Sequence, residues 1–399
     1  MEPKIAERPI KLLIYAHFFA PSVGGVETSV LSLAKGLAGL SGPTKVASFE
    51  VTVVTQTPAG LFDDRDLNFP VIRQPNSLSL IRLVLACDVM HLAGPSLLPH
   101  FLGFLAHKPI VLEHHGYQAT CPNGHLLHEP ERSICPGHFL EGRPLECLKC
   151  QMAELALSKS LVNMFLMIPR YLLARASTTN IAISNHVLRR QNLPNSKTIY
   201  YGIEDRPFLT GREQKENSGT MCFAYVGRFS PEKGIPVFLK AISLLKNEGF
   251  DFKVKLVGDG TQRAEIEKIL HSEAIADRVA MTGFQRGDAL SQVMEDVSAV
   301  VMPSVCEETA GLAAIEQMMR GRLVIASDIG GLAEVVGNAG FLSPAGDAEA
   351  LAECMKQVIQ EPGLIETLGK IARARALDLF QSSRMVDEHA TVYRRLAQQ

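Results

Sequence analysis

Apolar residues in this chain come in short runs separated by amphipathic stretches. Residues 11–16, 50–55, 88–92 and 109–113 have the length and apolar density of buried strands, and each is followed by loop or helix signals. Near-continuous apolar strands alternating with helical patterns predict a parallel sheet covered on both faces. Residues 181–184 and 198–201 add two more strand-like runs. A polar segment, 206–220, holding Pro207, Gly211, Gly219 and several charges, then reads as a domain boundary. A second alternating series follows, with strands expected at 221–226, 252–257, 279–282, 299–302 and 323–326. The tail, 382–396, places Met385, Val386, Val392, Tyr393 and Leu396 at helical spacing, which predicts a packed helix. No repeat of about 20–50 residues relates the two halves, so any similarity between them is one of architecture.

The chain has 399 residues, enough for two domains of about 150–200 residues each. Its 46% hydrophobic and 21% charged content describes a globular chain. Forty Lys and Arg against 42 Asp and Glu leave a formal charge of −2, so no overall basic field draws nucleic acid. No apolar stretch reaches the roughly 18 residues of a membrane span; the richest, 161–173, is broken by Asn163, Pro169 and Arg170. Residues 12–20 imitate the apolar core of a secretory signal, but Glu2 and Glu7 spoil its basic leader, and a buried first strand is the better reading. Cys87, Cys222, Cys306 and Cys354 sit in apolar or helical patterns and read as free thiols of a reducing, cytoplasmic compartment.

Three places carry candidate chemistry. After the first strand, Gly24 and Gly25 precede a helical run, 28–37; a glycine turn at a helix start removes side-chain bulk where backbone N–H groups can meet an anion. At the equivalent point of the second half, Arg228 and Lys233 flank a turn where a doubly wound sheet forms its binding crevice. Cations at a helix start oppose the helix dipole, and two of them there can neutralise a diphosphate. Glu308 and Glu316 bracket the start of a third helix, whose first amides include Gly311 and Leu312. Carboxylates so placed can accept hydrogen bonds from sugar hydroxyls, and Glu307 reads as a solvated neighbour. The pair Asp64 and Asp66 matches a metal-binding Asp-x-Asp pattern but sits in a polar loop without a strand before it, and reads as a solvated charge cluster.

Taken together these motifs resemble family 4 retaining glycosyltransferases of the GT-B fold. The resemblance covers nearly the whole chain: residues 21–27, 88–91, 111–117, 182–185, 201–203, 227–234, 257–260, 302–319 and 324–331. It implies an α/β architecture of two Rossmann-like doubly wound domains facing across a cleft: 1–205 on the acceptor side, 206–381 binding the nucleotide sugar, and 382–399 a helix packing back on the first domain. By resemblance, Arg228 and Lys233 meet the donor diphosphate, Gly311 and Leu312 hold phosphate through their amides, and Gly24 or Gly25 approaches it. Glu316 takes the ribose, Glu308 the donor sugar, and His115 the region of the reacting carbon, with His114 as the alternative. The implied reaction is hexosyl transfer from a UDP- or GDP-sugar to a hydroxyl of a glycan or lipid-linked acceptor, retaining configuration, with no catalytic metal and no side-chain nucleophile, in cell-surface or exopolysaccharide assembly. Gly116 stands where the family commonly has aspartate, and Thr309 and Ala310 where Gly-Phe is common, which leaves the donor sugar open. A nucleotide-sugar epimerase and a catalytically silent glycan-binding scaffold are the competing readings. Two carboxylates also fit a glycoside hydrolase, but the basic pair suits a diphosphate better.

An insert at 117–150 carries Cys121, Cys135, Cys147 and Cys150 with His125, His128 and His138 interspersed. Four thiols including a Cys-x-x-Cys match a closed structural zinc site, with a redox pair or plain loop cysteines as alternatives. After it, 153–176 mixes Leu, Met and Phe with Lys159, Arg170 and Arg175; a core-packed helix is expected, and peripheral contact with an anionic membrane is the alternative.

Overall fold

The computed structural model describes residues 8–22, 24–40, 48–60, 62–129, 131–206 and 220–398. Glu2, Glu7 and the boundary residues Pro207, Gly211 and Gly219 lie outside the described residues. The chain divides into two compact units: 1–204 with 380–399, and 205–379.

In the first unit the elements run β1 (Ile10–Ala16), α1 (Gly25–Gly39), β2 (Phe49–Thr55), β3 (Val71–Arg73), α2 (Ser77–Ala86), β4 (Val89–Ala93), α3 (Leu97–Leu105), β5 (Ile110–His114), β6 (Leu127–His128), β7 (Ser133–Ile134), α4 (Pro144–Met152), α5 (Leu157–Ala176), β8 (Thr179–Ala182), α6 (Asn185–Gln191) and β9 (Ser196–Thr198). Seven strands form a parallel sheet in the order β3-β2-β1-β4-β5-β8-β9. Strand alternation sends Ile14, Val53 and Val111 to one face, where α1 packs, and Leu13, Val54 and Leu112 to the other, where α2 and α5 contribute Leu80, Val84 and Ala174.

The second unit comprises β10 (Met221–Val226), α7 (Ile235–Asn247), β11 (Phe252–Val257), α8 (Arg263–Ser272), β12 (Val279–Gly283), α9 (Gly287–Val293), β13 (Ala299–Met302), α10 (Leu312–Met319), β14 (Leu323–Ser327), α11 (Gly330–Val336), β15 (Phe341–Ser343), α12 (Ala348–Gln360) and α13 (Gly363–Leu379). Its six-stranded parallel sheet has the order β12-β11-β10-β13-β14-β15. Both sheets reverse direction of growth beside their first strand, between β1 and β4 and between β10 and β13. In doubly wound sheets ligands bind outside the carboxyl ends of the strands at such switch points.

The last helix, α14 (Ser382–Ala397), belongs to the first unit, packing on α1 and burying Met385, Val386, Ala390, Tyr393 and Leu396. Gly202 allows this: a side chain there would collide with Ser382 and Met385. Next to it Ile203 pairs with Gln381. That pairing explains why 198–201 is not a strand: the chain leaves the sheet after Thr198 to meet α14. The expected strand 181–184 ends at Ala182, because Ser184 instead caps α6 by accepting from the Val187 amide (3.2 Å).

Candidate functional site

In the second unit the loops after β10 and β13 meet at the switch point. Tyr225 on β10 turns its hydroxyl to donate to the Arg228 carbonyl (2.7 Å), fixing the first loop. Pro231–Lys233 makes one 3-10 turn, closed by Gly234 at φ 66°, where any side chain would run into the Pro303 carbonyl. This close approach brings Lys233 to the loop after β13, and its Nζ donates to Glu308 Oε1 at 2.9 Å. Ser304 donates to the same oxygen. Burial pushes the Glu308 carboxyl upward, but Lys233, Ser304 and Arg228 outweigh it and hold the group below its usual range. Burial alone would lower the Lys233 ammonium; Glu308 holds it above its usual value. The two are a charged pair, 23% and 15% exposed, with both contacts to Glu308 falling on Oε1.

Arg228 points outward, 79% exposed and 3.8 Å from Glu232. The expected basic pair is thus unequal, with one cation paired and the other facing solvent. Gly311 caps α10 at φ 63°, and Leu312 opens the helix, so its first amides lie just beyond Glu308. The Gly330-Gly331 run has a packing role of its own: side chains there would strike the backbone of Glu308 and Thr309, and the Gly331 amide donates to the Glu308 carbonyl (2.6 Å). Glu316 lies further along α10 with no carboxylate contact to this cluster. Burial raises its pKa, opposed by Arg206 and Arg320.

In the first unit, Gly24 caps α1 and the Glu27 carboxylate folds against it, where a side chain at 24 would stand. Gly25 opens the helix. The two histidines after β5 part company. His114 turns to one sheet face, its Nε2 sharing a 2.8 Å hydrogen bond with Asn180, and burial lowers its pKa to about 4. His115 turns to the other face, stacked on Tyr201, whose hydroxyl shares a 2.7 Å hydrogen bond with His115 Nδ1. Its Nε2 lies 3.3 Å from Glu113.

Sequence reasoning missed what surrounds Glu113. This carboxylate, 2% exposed, lies 3.3 Å from His91 Nε2 and 3.6 Å from His389 Nε2. His91 shares a 2.8 Å hydrogen bond with Tyr393, and His389 Nδ1 donates to the Met385 carbonyl, so α14 closes the cluster. Burial opposes ionisation of Glu113, yet His115, His389 and His91 hold it well below its ordinary range. Two signals were present: Glu113 and His115 alternate onto one face of a strand, and a lone acid interrupts an apolar run.

The insert is more ordered than a loop. Antiparallel β6 and β7 form a short hairpin, and α4 places Cys147 and Cys150 one turn apart. Cys121, Cys135, Cys147 and Cys150 are all buried and line one pocket with His128 and His138. The Gly137 amide donates to Cys135 Sγ (3.4 Å) and the Glu129 amide to Cys150 Sγ (3.5 Å), contacts that favour thiolates. Burial, then the neighbouring thiols, push Cys147 up to about 12, a repulsion a dication would reverse. The donor set suits zinc in kind. Its spacing is looser than a tetrahedral site: among the described residues, only His91, Glu113 and His389 form a trio of potential ligands mutually within 4.8 Å. Asp64, in contrast, is taken up by a two-pronged ion pair with Arg73 (2.7 and 2.8 Å), and Asp63 pairs with Arg65.

Residues 221–361 match the family "Glycosyl transferases group 1". Over 146 residues the chain is 36% identical to 2-deoxystreptamine glucosyltransferase of Streptomyces kanamyceticus, covering 36% of this chain and 38% of that one. Over 198 residues it is 27% identical to alpha-D-kanosaminyltransferase of the same organism, covering 49% and 47%. The chain thus spans less than half the length of these curated relatives. Among solved structures it is similar to HepE of Anabaena in complex with UDP and glucose, at 19% identity and TM-score 0.69, covering 96% of this chain and 99% of that one. The fold is GT-B, with two Rossmann-like α/β units. The match to group 1 glycosyl transferases falls within the second unit.

Proposed function

We propose that the protein is a retaining glycosyltransferase that moves a hexosyl group from a nucleotide diphosphate sugar to a hydroxyl acceptor. The observation that carries this reading is the Lys233–Glu308–Ser304 cluster at the switch point, inside the stretch that matches group 1 glycosyl transferases. Lys233, with two further N–H donors beyond the one on Glu308, and Arg228, directed to solvent, supply positive charge to a leaving diphosphate. The first amides of α10, at Gly311 and Leu312, add oriented donors. Glu308 Oε2 is left to accept from sugar hydroxyls, and Glu316 from a ribose. The leaving phosphate takes the acceptor proton, so the chemistry asks for neither a side-chain nucleophile nor a metal.

HepE was solved with UDP-glucose as well as with UDP and glucose, which supports a UDP-sugar donor, with a GDP-sugar as the alternative. His115, its Nδ1 held by the Tyr201 hydroxyl, is assigned to the donor sugar together with Gly24 or Gly25 on the phosphate. The acceptor is a glycan or lipid-linked hydroxyl in cell-surface assembly, reached from the cytoplasmic side with peripheral membrane contact. The two Streptomyces relatives, by their names, support a second reading, a small aminocyclitol acceptor. The four cysteines of the insert are assigned a structural zinc, and metal analysis of the reduced protein finding none would remove that assignment. Among the described residues no helix is long and apolar enough to cross a membrane.

The test is a panel of UDP-, GDP- and ADP-sugars with purified protein and no added divalent metal, following thermal stabilisation and nucleotide diphosphate release. One donor that stabilises the protein and is slowly hydrolysed is the expected result. Binding without release favours a silent scaffold, an isomerised donor favours an epimerase, and no binding overturns the assignment.

A further inference from the structure

Three neighbouring helices of the first unit have an apolar face turned outward. On α5 the fully buried side is made of Ser160, Met167 and Ala174, whereas most of the large apolar side chains face solvent. Leu161, Phe165, Ile168 and Leu172 recur at helical spacing along the exposed side, and Phe165 is 74% exposed. This inverts the pattern of a helix that merely covers a core, where the larger apolar residues point inward. The stripe does not end with α5. Neighbouring α3 exposes Phe101, and α2, which packs beside α3, exposes Leu85. All three helices cover the same side of the sheet, so their outer surfaces form one layer. An exposed apolar surface of this extent marks a contact site.

The charges on this layer select the partner. None of the three helices contains an aspartate or glutamate, and they carry Arg82, Lys159, Arg170 and Arg175. Arg82, Lys159 and Arg175 are exposed, whereas Arg170 is drawn in to donate to the Gln118 carbonyl (3.3 Å). Two copies of the chain meeting through this face would oppose cations to cations with no acid between them, which disfavours self-association. An anionic bilayer satisfies both features at once: its acyl boundary takes the apolar stripe and its head groups take the cations.

We propose that the outer layer of α2, α3 and α5 is a docking face for an anionic lipid bilayer, with α5 lying in the interface. The face deepens the peripheral membrane contact assigned above and rests on that part of the reading, but it uses none of the residues placed in the transfer site, so lipid binding and transfer can fail separately. The test is co-sedimentation of the full chain with phosphatidylcholine vesicles, pure or carrying about one-third phosphatidylglycerol, at low and high salt. The expected result is binding at least about fivefold stronger to the anionic vesicles, weakened by salt. Phe165→Glu, and separately Leu161→Glu, should each reduce it by about tenfold with an unchanged melting temperature; the side chains are exposed, so the fold does not depend on them. Failure to bind either vesicle, or equal binding by both variants and the parent chain, overturns the proposal. So does a dimer in analytical ultracentrifugation that Phe165→Glu dissociates, since the face would then belong to a second copy.

Discussion

Glu113 and Glu308 are both acids taken largely out of water and both held ionised by their neighbours, yet one is sealed and the other is presented. Glu113 is 2% exposed at the end of β5, and the imidazoles of His91, His115 and His389 surround it. Glu308 is 15% exposed at the open edge of the sheet, with Lys233 and Ser304 sharing one of its oxygens. A buried charge enclosed on every side is spent on the fold, whereas one with an oxygen to spare at a switch point can meet a ligand. Perturbed carboxylates therefore do not by themselves locate chemistry; what distinguishes them is whether their partners exhaust them.

Substituting each acid is the direct way to break this contrast. Glu113→Ala leaves three imidazoles around an empty site and should cost about 4 kcal/mol of stability, read by denaturant unfolding. Glu308→Gln should cost less, about 1–2 kcal/mol, since the amide still accepts from Ser304 and Lys233 is partly exposed, while lowering glycosyl transfer by about a hundredfold, roughly 2.7 kcal/mol, read as kcat/KM with the donor found by the panel. The reverse pattern would exchange the two roles.

Acid should then separate the units. Burial first, and for His114 the neighbouring His115, depress His100 and His114 to about 4. The unfolded chain binds these protons more readily, so the stability they contribute is complete above about pH 6.5 and is lost as pH falls toward 4. At about pH 5 the loss is roughly 2 kcal/mol per histidine. Glu113, with its pKa held down, has the same sign at lower pH. Raised Glu316 in the second unit has the opposite sign, its contribution disappearing as pH rises. Hydrogen exchange below about pH 6 should accordingly show the first unit opening before the second. The smallest effect expected is from Tyr201→Phe, which removes the hydroxyl from His115 at a cost of about 1 kcal/mol. A larger fall in turnover than in stability would show that the ring of His115 must be held in place for the reaction.

Much of the fold was readable because buried parallel strands are apolar throughout. The strands 221–226, 252–257 and 299–302 lie where periodicity put them. The short edge strands β3 and β15 escaped, being three residues long and mostly half-buried, as did the β6–β7 hairpin. For the candidate site, spacing indicated a basic pair and two acids but not that Lys233 would neutralise Glu308 and leave Arg228 outside. That pairing depends on Gly234 passing under Pro303, a contact no local pattern encodes. The Glu113 cluster was hidden for a similar reason: its third histidine arrives on α14, far along the chain.

That late arrival also sets a schedule for the molecule's own synthesis. The first unit lacks Tyr393 and His389 until the ribosome has made the intervening 205–379 segment. At about 5–20 residues per second, the half-built sheet waits on the order of ten seconds or more with His91 and Glu113 uncovered on one side. The second unit, continuous in sequence, can finish folding first, inverting the order in which the two are translated.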